Sequence, residues 1–110
     1  MNCSLVPLRT KHGTFVGWID VRQCTFVADR ADWDLDDAWV WESLIRTPAG
    51  RFLVYNHVLK TEPPSETVDK YAVFIKELEA VSWFADDPGS APECMRPLVE
   101  KFLTLPDCRY

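Results

Sequence analysis

The chain has 110 residues, seventeen acidic and twelve basic, for a net charge of -5 at neutral pH. That length suits one domain that buries roughly 65% of its unfolded surface. The acidic balance argues against direct binding to nucleic-acid phosphates, which a protein must neutralise with positive charge.

No apolar run reaches the ~20 residues that a bilayer span requires, so no membrane association is expected. Met1-Asn2-Cys3-Ser4 leads into a short apolar run broken by Pro7 and Arg9. It lacks the charged start and apolar length of a signal peptide, and a cytoplasmic location is the expectation. Cys3, Cys24, Cys94 and Cys108 are then expected to be thiols, because their wide spacing contains no Cys-x-x-Cys element. A zinc site built from them with His12 or His57 is the less favoured reading, and no cofactor is expected.

In chain order, Ser4 to Arg9 and Thr14 to Val21 read as two strands around Thr10-Lys11-His12-Gly13. The implied register sets Pro7 opposite Gly17 and suits an edge strand, since proline cannot donate to a ladder. Cys24 to Ala28 is a further short strand, continuous with the previous one through a bend at Arg22-Gln23. Asp29 to Asp37 follows, with five carboxylates in nine residues. The alternation of Asp32, Asp34 and Asp36 resembles the start of a calcium loop, but Asp37 stands where such a loop needs Gly and Ser43 where it needs Glu. The segment is expected to be a loop. Its functional reading is a partner-binding acidic patch of Asp29, Asp32, Asp34, Asp36 and Asp37, with Trp33 and Leu35 as apolar anchors.

Ala38 to Lys60 carries the strongest pattern, two β-branched and aromatic runs around Thr47-Pro48-Ala49-Gly50. Pro48 suits the second position of a type I turn, and Gly50 suits the left-handed position that closes a bulged loop. The implied register pairs Ile45 with Leu53, Ser43 with Tyr55, Trp41 with His57 and Trp39 with Leu59 on an apolar face. Arg46 with Phe52, Leu44 with Val54, Glu42 with Asn56 and Val40 with Val58 form a mixed face. The apolar face is the expected core. Arg9-Thr10-x-x-Gly13-x-Phe15 echoes Arg46-Thr47-x-x-Gly50-x-Phe52, which shared turn chemistry explains more simply than duplication.

Pro63-Pro64 ends the strand region. Val68, Tyr71, Ala72, Ile75, Leu78, Val81 and Ala85 fit one helical face, so a long helix over 68–85 is favoured above a strand at Tyr71 to Ile75. A last short helix is expected from Cys94 to Leu105.

Trp41-Glu42-x-Leu44-x-Arg46-Thr47-x-x-Gly50-Arg51-Phe52-Leu53, followed by Leu78-Glu79-Ala80-Val81-Ser82-Trp83, resembles a pattern in short uncharacterised proteins of bacteria and their phages. The resemblance implies a hairpin, a further strand at Tyr71 to Ile75 and an acidic helix bearing a Trp. It brings no activity with it.

The expected fold is α+β: an antiparallel sheet of four to five strands, in two hairpins, packed against one or two C-terminal helices. One domain spans 1–110, β-rich over 1–60, with a linker at 61–65 and helices over 66–105. The expected core is Trp39, Trp41, Ile45, Leu53, Tyr55, Phe15, Ile19, Ile75, Leu78 and Phe102. Neither histidine stands in a recognised catalytic context, and the four glycines are isolated, so no enzyme is expected. The functional expectation is a protein-binding module with a basic or nucleic-acid-handling protein partner, in its sharper form an inhibitor or anti-defence protein that mimics nucleic acid. The alternatives are an accessory or antitoxin-type subunit with a permanent apolar interface, self-association included, and a divalent-cation-binding domain.

Overall fold

Thr47 and Thr10 hold the same place in two hairpin turns. Gly50 N donates to Thr47 O, and Gly13 N to Thr10 O, at 2.8 and 2.9 Å. Both glycines have φ near +87°, at 86° and 88°, a left-handed conformation that a Cβ disfavours. The threonine hydroxyls accept from Arg51 N and Thr14 N on the far side of each turn. Shared turn chemistry therefore accounts for the sequence echo.

A computed structural model describes residues 5–33, 39–61 and 66–103. It contains β1 (Leu5–Arg9), β2 (Phe15–Asp20), β3 (Thr25–Trp33), β4 (Trp39–Arg46), β5 (Phe52–Leu59) and β6 (Thr67–Ile75), then helices α1 (Glu77–Ser82) and α2 (Arg96–Leu103). The strands form one sheet in the order β2-β1-β6-β5-β4-β3. All pairs are antiparallel except β1 with β6. The class is α+β as expected, but with six strands instead of four to five.

The β4–β5 register matches the expected one at every pair from Trp39↔Leu59 to Arg46↔Phe52. The β1–β2 register differs. Val16 is an extra residue in a bulge, so Pro7 meets Trp18 and Gly17 meets Leu8. β1 also lies inside the sheet. Its pairing with β6 is confined to Leu8 and Arg9, so Pro7 lies outside the β1–β6 ladder, where a missing N–H removes no bond.

β2 and β3 occupy opposite edges of the sheet, yet only Val21 to Cys24 join them, in a 3-10 turn at Val21–Gln23. The Cys24 thiol donates to Asp20 O at 3.7 Å, which holds these two residues' Cα atoms within about 9 Å. A flat six-stranded sheet would set its edges about 24 Å apart. The sheet therefore coils, with β2 and β3 acting as two halves of one bent strand. Burial, then the charge of Asp20, push the Cys24 thiol up, which favours the protonated donor.

Coiling gives the sheet an inner and an outer face. By register, Val6, Ile45, Leu53 and Ala72 share the inner face. All four are buried, though none belongs to the cluster that the helices cover. The outer face carries Leu44 and Phe52, which pack with bulge residue Val27 against Ala80, Val81, Phe84, Ala91, Met95 and Val99. The helices thus sit on the mixed face of the central hairpin, and the apolar face lines the coil.

Thr67 to Ile75 is a strand, which corrects the long-helix expectation. It pairs with β5 from Phe52↔Ile75 to Leu59↔Thr67. Ala72 faces inward, and Val73 and Ile75 outward, so apolar residues occur on both sides and no two-residue alternation remains in the sequence. Among the expected core residues, Ile45 and Leu53 are buried, and Ile75 and Phe102 pack against the helix cluster. Trp39, Tyr55 and Ile19 are half-buried. Trp41, Phe15 and Leu78 are exposed, Leu78 at 60% because the short α1 turns it outward.

Two truncations separate this arrangement from a long amphipathic helix. Leu53→Ala is expected to lower unfolding free energy by about 2–5 kcal/mol, and Leu78→Ala by less than about 0.5 kcal/mol. Urea unfolding of both variants measures the contrast.

Candidate binding cleft

The helices cover only part of the outer face. Beside α1 a cleft of about 600 Å³ remains open, floored by Val54, Asn56 and Val58 of β5 and by Tyr71, Val73 and Ile75 of β6. Its walls come from three places: Arg9, Thr10, Lys11 and Gly13 at the β1–β2 turn, the cross-strand pair Arg30 and Glu42, and Glu79, Ser82 and Trp83 at α1.

Three ion pairs ring the cleft. Arg9 grips Asp69 through two nitrogens, at 3.0 and 3.4 Å, and its guanidinium lies 4.5 Å from the centre of the Tyr71 ring. Arg30 Nε donates to Glu42 Oε1 at 2.9 Å, with its guanidinium 3.9 Å over Trp83. Lys11 Nζ donates to Glu79 Oε1 at 2.6 Å. That hydrogen bond is the main reason the Glu79 carboxyl is held below its ordinary value. The Lys11–Glu79 bridge ties the hairpin turn to α1 and closes one side of the cleft. These pairs are solvent-exposed to differing degrees, so they contribute orientation more than stability.

Asn56 is the one buried polar residue of the floor, 7% exposed. Its Nδ2 donates to the Val54 backbone carbonyl at 3.2 Å. The cleft therefore offers an apolar base with one amide, two aromatic rings capped by guanidinium groups, and a rim of alternating charge. That chemistry suits a polypeptide segment with both apolar and charged side chains.

Of the acidic segment, the structure describes the backbone of residues 29–33. Residues 29–33 belong to β3 and not to a loop, with Asp29 opposite Ser43, Asp32 opposite Val40 and Trp33 opposite Trp39. Asp29 is exposed at this edge of the sheet. Asp34, Leu35, Asp36 and Asp37 lie outside the described residues. Asp32 within a strand also departs from the calcium-loop reading. Among the described residues no group of three His, Cys, Asp or Glu side chains could hold a metal ion, and Cys24 and Cys94 are free thiols. The sequence did not mark Arg9, Arg30, Glu42, Asp69 and Trp83 as site residues, because their pairing depends on strand register and on where α1 docks. The 30↔42 pairing follows once β3 is extended past Ala28.

A second group lies on the inner face. His57 stands between Trp41 and Lys70 in register, its ring 4.2 Å from that of Tyr55. Burial, then the charge of Lys70, hold the His57 imidazole below its ordinary value. Burial alone pushes the Tyr55 hydroxyl up.

Compared with known proteins, the chain matches no family model, no curated protein and no solved structure.

The lowered His57 value sets the sign of a pH dependence. The unfolded chain takes up this proton near pH 6.5 and the folded protein only at lower pH, so unfolding gains protons in that window. Stability is expected to fall as pH drops below about 6.5 and to level off below the folded value. His57→Gln should flatten the urea midpoint between pH 7.5 and 5 if this residue is the cause.

Proposed function

We propose that the protein is a non-catalytic protein-binding module whose recognition site is the outer-face cleft. The observation that supports this reading is the pairing of every lysine, arginine, aspartate and glutamate of the cleft within an ion pair, around an apolar floor and two capped aromatic rings. Such a site offers contacts to a polypeptide without a nucleophile held beside a base. The excess of carboxylate over the whole chain favours a partner of net positive charge, and it would raise the rate of encounter.

The inhibitor or anti-defence form of this reading, with carboxylates standing in for nucleic-acid phosphates, draws its support from the net charge of -5 and from exposed Asp29. The two forms place the contact differently. The tagged protein is used to capture partners from its host lysate at low and high salt, and the captured protein is then tested against two variants. Lys11→Glu with Arg30→Glu reverses charge at the cleft rim, and Asn at positions 32, 34, 36 and 37 removes the acidic segment. Loss of binding on rim reversal alone supports the cleft, and loss with the Asn variant alone supports the mimic. Binding untouched by both rejects the two.

A further inference from the structure

The two edges of the sheet differ in chemistry. Among the described residues β2 pairs on one side only, with β1, and β3 only with β4. Both edges carry a bulge, at Val16 and at Val27. The β3 edge also carries charge, with exposed Asp29 and Arg30 in its middle. Such charges are what natural proteins place on an edge to prevent pairing. The β2 edge has no charge in its middle: Phe15-Val16-Gly17-Trp18-Ile19 is uncharged, and Asp20 stands only at its end. Phe15, Val16 and Trp18 are 53%, 56% and 62% exposed. Phe15 and Trp18 meet edge to face, ring centres 5.4 Å apart, on the outer side where their register partners are Arg9 and Pro7. Leu5 extends the same apolar patch.

We infer that this edge pairs with the β2 edge of a second copy of the chain, antiparallel about a two-fold axis normal to the sheet, joining two coiled sheets edge to edge. Charge selects this occupant. Arg9 is spent on Asp69, Lys11 on Glu79, and Arg22 lies 3.7 Å from Asp20. The hairpin therefore shows no uncompensated charge, although the molecule as a whole carries -5. A basic partner gains nothing at this edge. A second copy meets it without like-charge contact, and the symmetry sets the Phe15 and Trp18 rings of one copy beside those of the other on one face. Strand addition satisfies the open N–H and C=O groups of both edges at once. The four apolar side chains expose roughly 400 Å² per copy, below the ~800 Å² per partner of a standard interface, so the dimer is weak and concentration-dependent. This inference does not rest on the cleft reading.

Sedimentation equilibrium of the full chain, from about 1 to about 200 µM, at low salt and at 0.5 M NaCl, tests it. A monomer–dimer equilibrium of micromolar strength that salt does not weaken is expected. Trp18→Lys and, separately, Val16→Lys should each raise the dissociation constant at least ~10-fold with an unchanged circular dichroism spectrum, because like charges then face each other across the axis. Phe26→Lys, on the opposite edge, should leave it unchanged. A protein monomeric at about 200 µM overturns the inference, as does a dimer lost in salt or one broken by Phe26→Lys alone.

Discussion

Four residues, Val21 to Cys24, connect the two outermost strands of a six-stranded sheet, and much else in the molecule follows from that short reach. The span is too short for a flat sheet, so the sheet coils. Coiling encloses the apolar face of the central hairpin without help from any helix. The helices are thereby free to pack on the other face. Leu44 and Phe52, which read as part of a mixed surface, are the residues that receive Phe84, Met95 and Val99.

Burial on both faces also explains what could be read in advance. The central hairpin was legible to the residue because its turn chemistry is local: Thr47, Pro48 and Gly50 set the loop, and the loop sets the register. The bend at Arg22-Gln23 was visible for the same reason. β6 was not. A strand buried on both sides loses the alternation that identifies strands, and Val68, Tyr71, Ala72 and Ile75 happen to fall at helical spacing. The expected core erred similarly. Trp41 and Phe15 look like core residues by type, yet β-register places Phe15 on the outer side of an edge strand. Helix α2, at Arg96–Leu103, falls within the expected 94–105 because prolines and glycine bound it on the N-terminal side.

The candidate cleft belongs to a level that sequence alone does not reach. Its three ion pairs join residues 60, 68 and 12 positions apart. Each needs a long-range fact: the parallel β1–β6 contact, the docking of α1 beside the β1–β2 turn, and the extension of β3 to Trp33. The acidic run shows the converse. It is conspicuous in composition and was expected to be a loop, yet its first five residues continue β3 as far as Trp33. The hairpin joins these features, for its turn walls the cleft through Lys11 while its edge carries the exposed aromatic pair.

The coil itself is the most consequential claim, and methyl NOEs test it most directly. β1 and β4 are three strand spacings apart, about 14 Å in a flat sheet, so Val6 or Leu8 can reach Ile45 only across a closed interior. NOEs from either residue to the Ile45 methyls are the expected result. NOEs confined to adjacent strands, with none between β1 and β4, would contradict the coiled sheet and the two-faced core built on it.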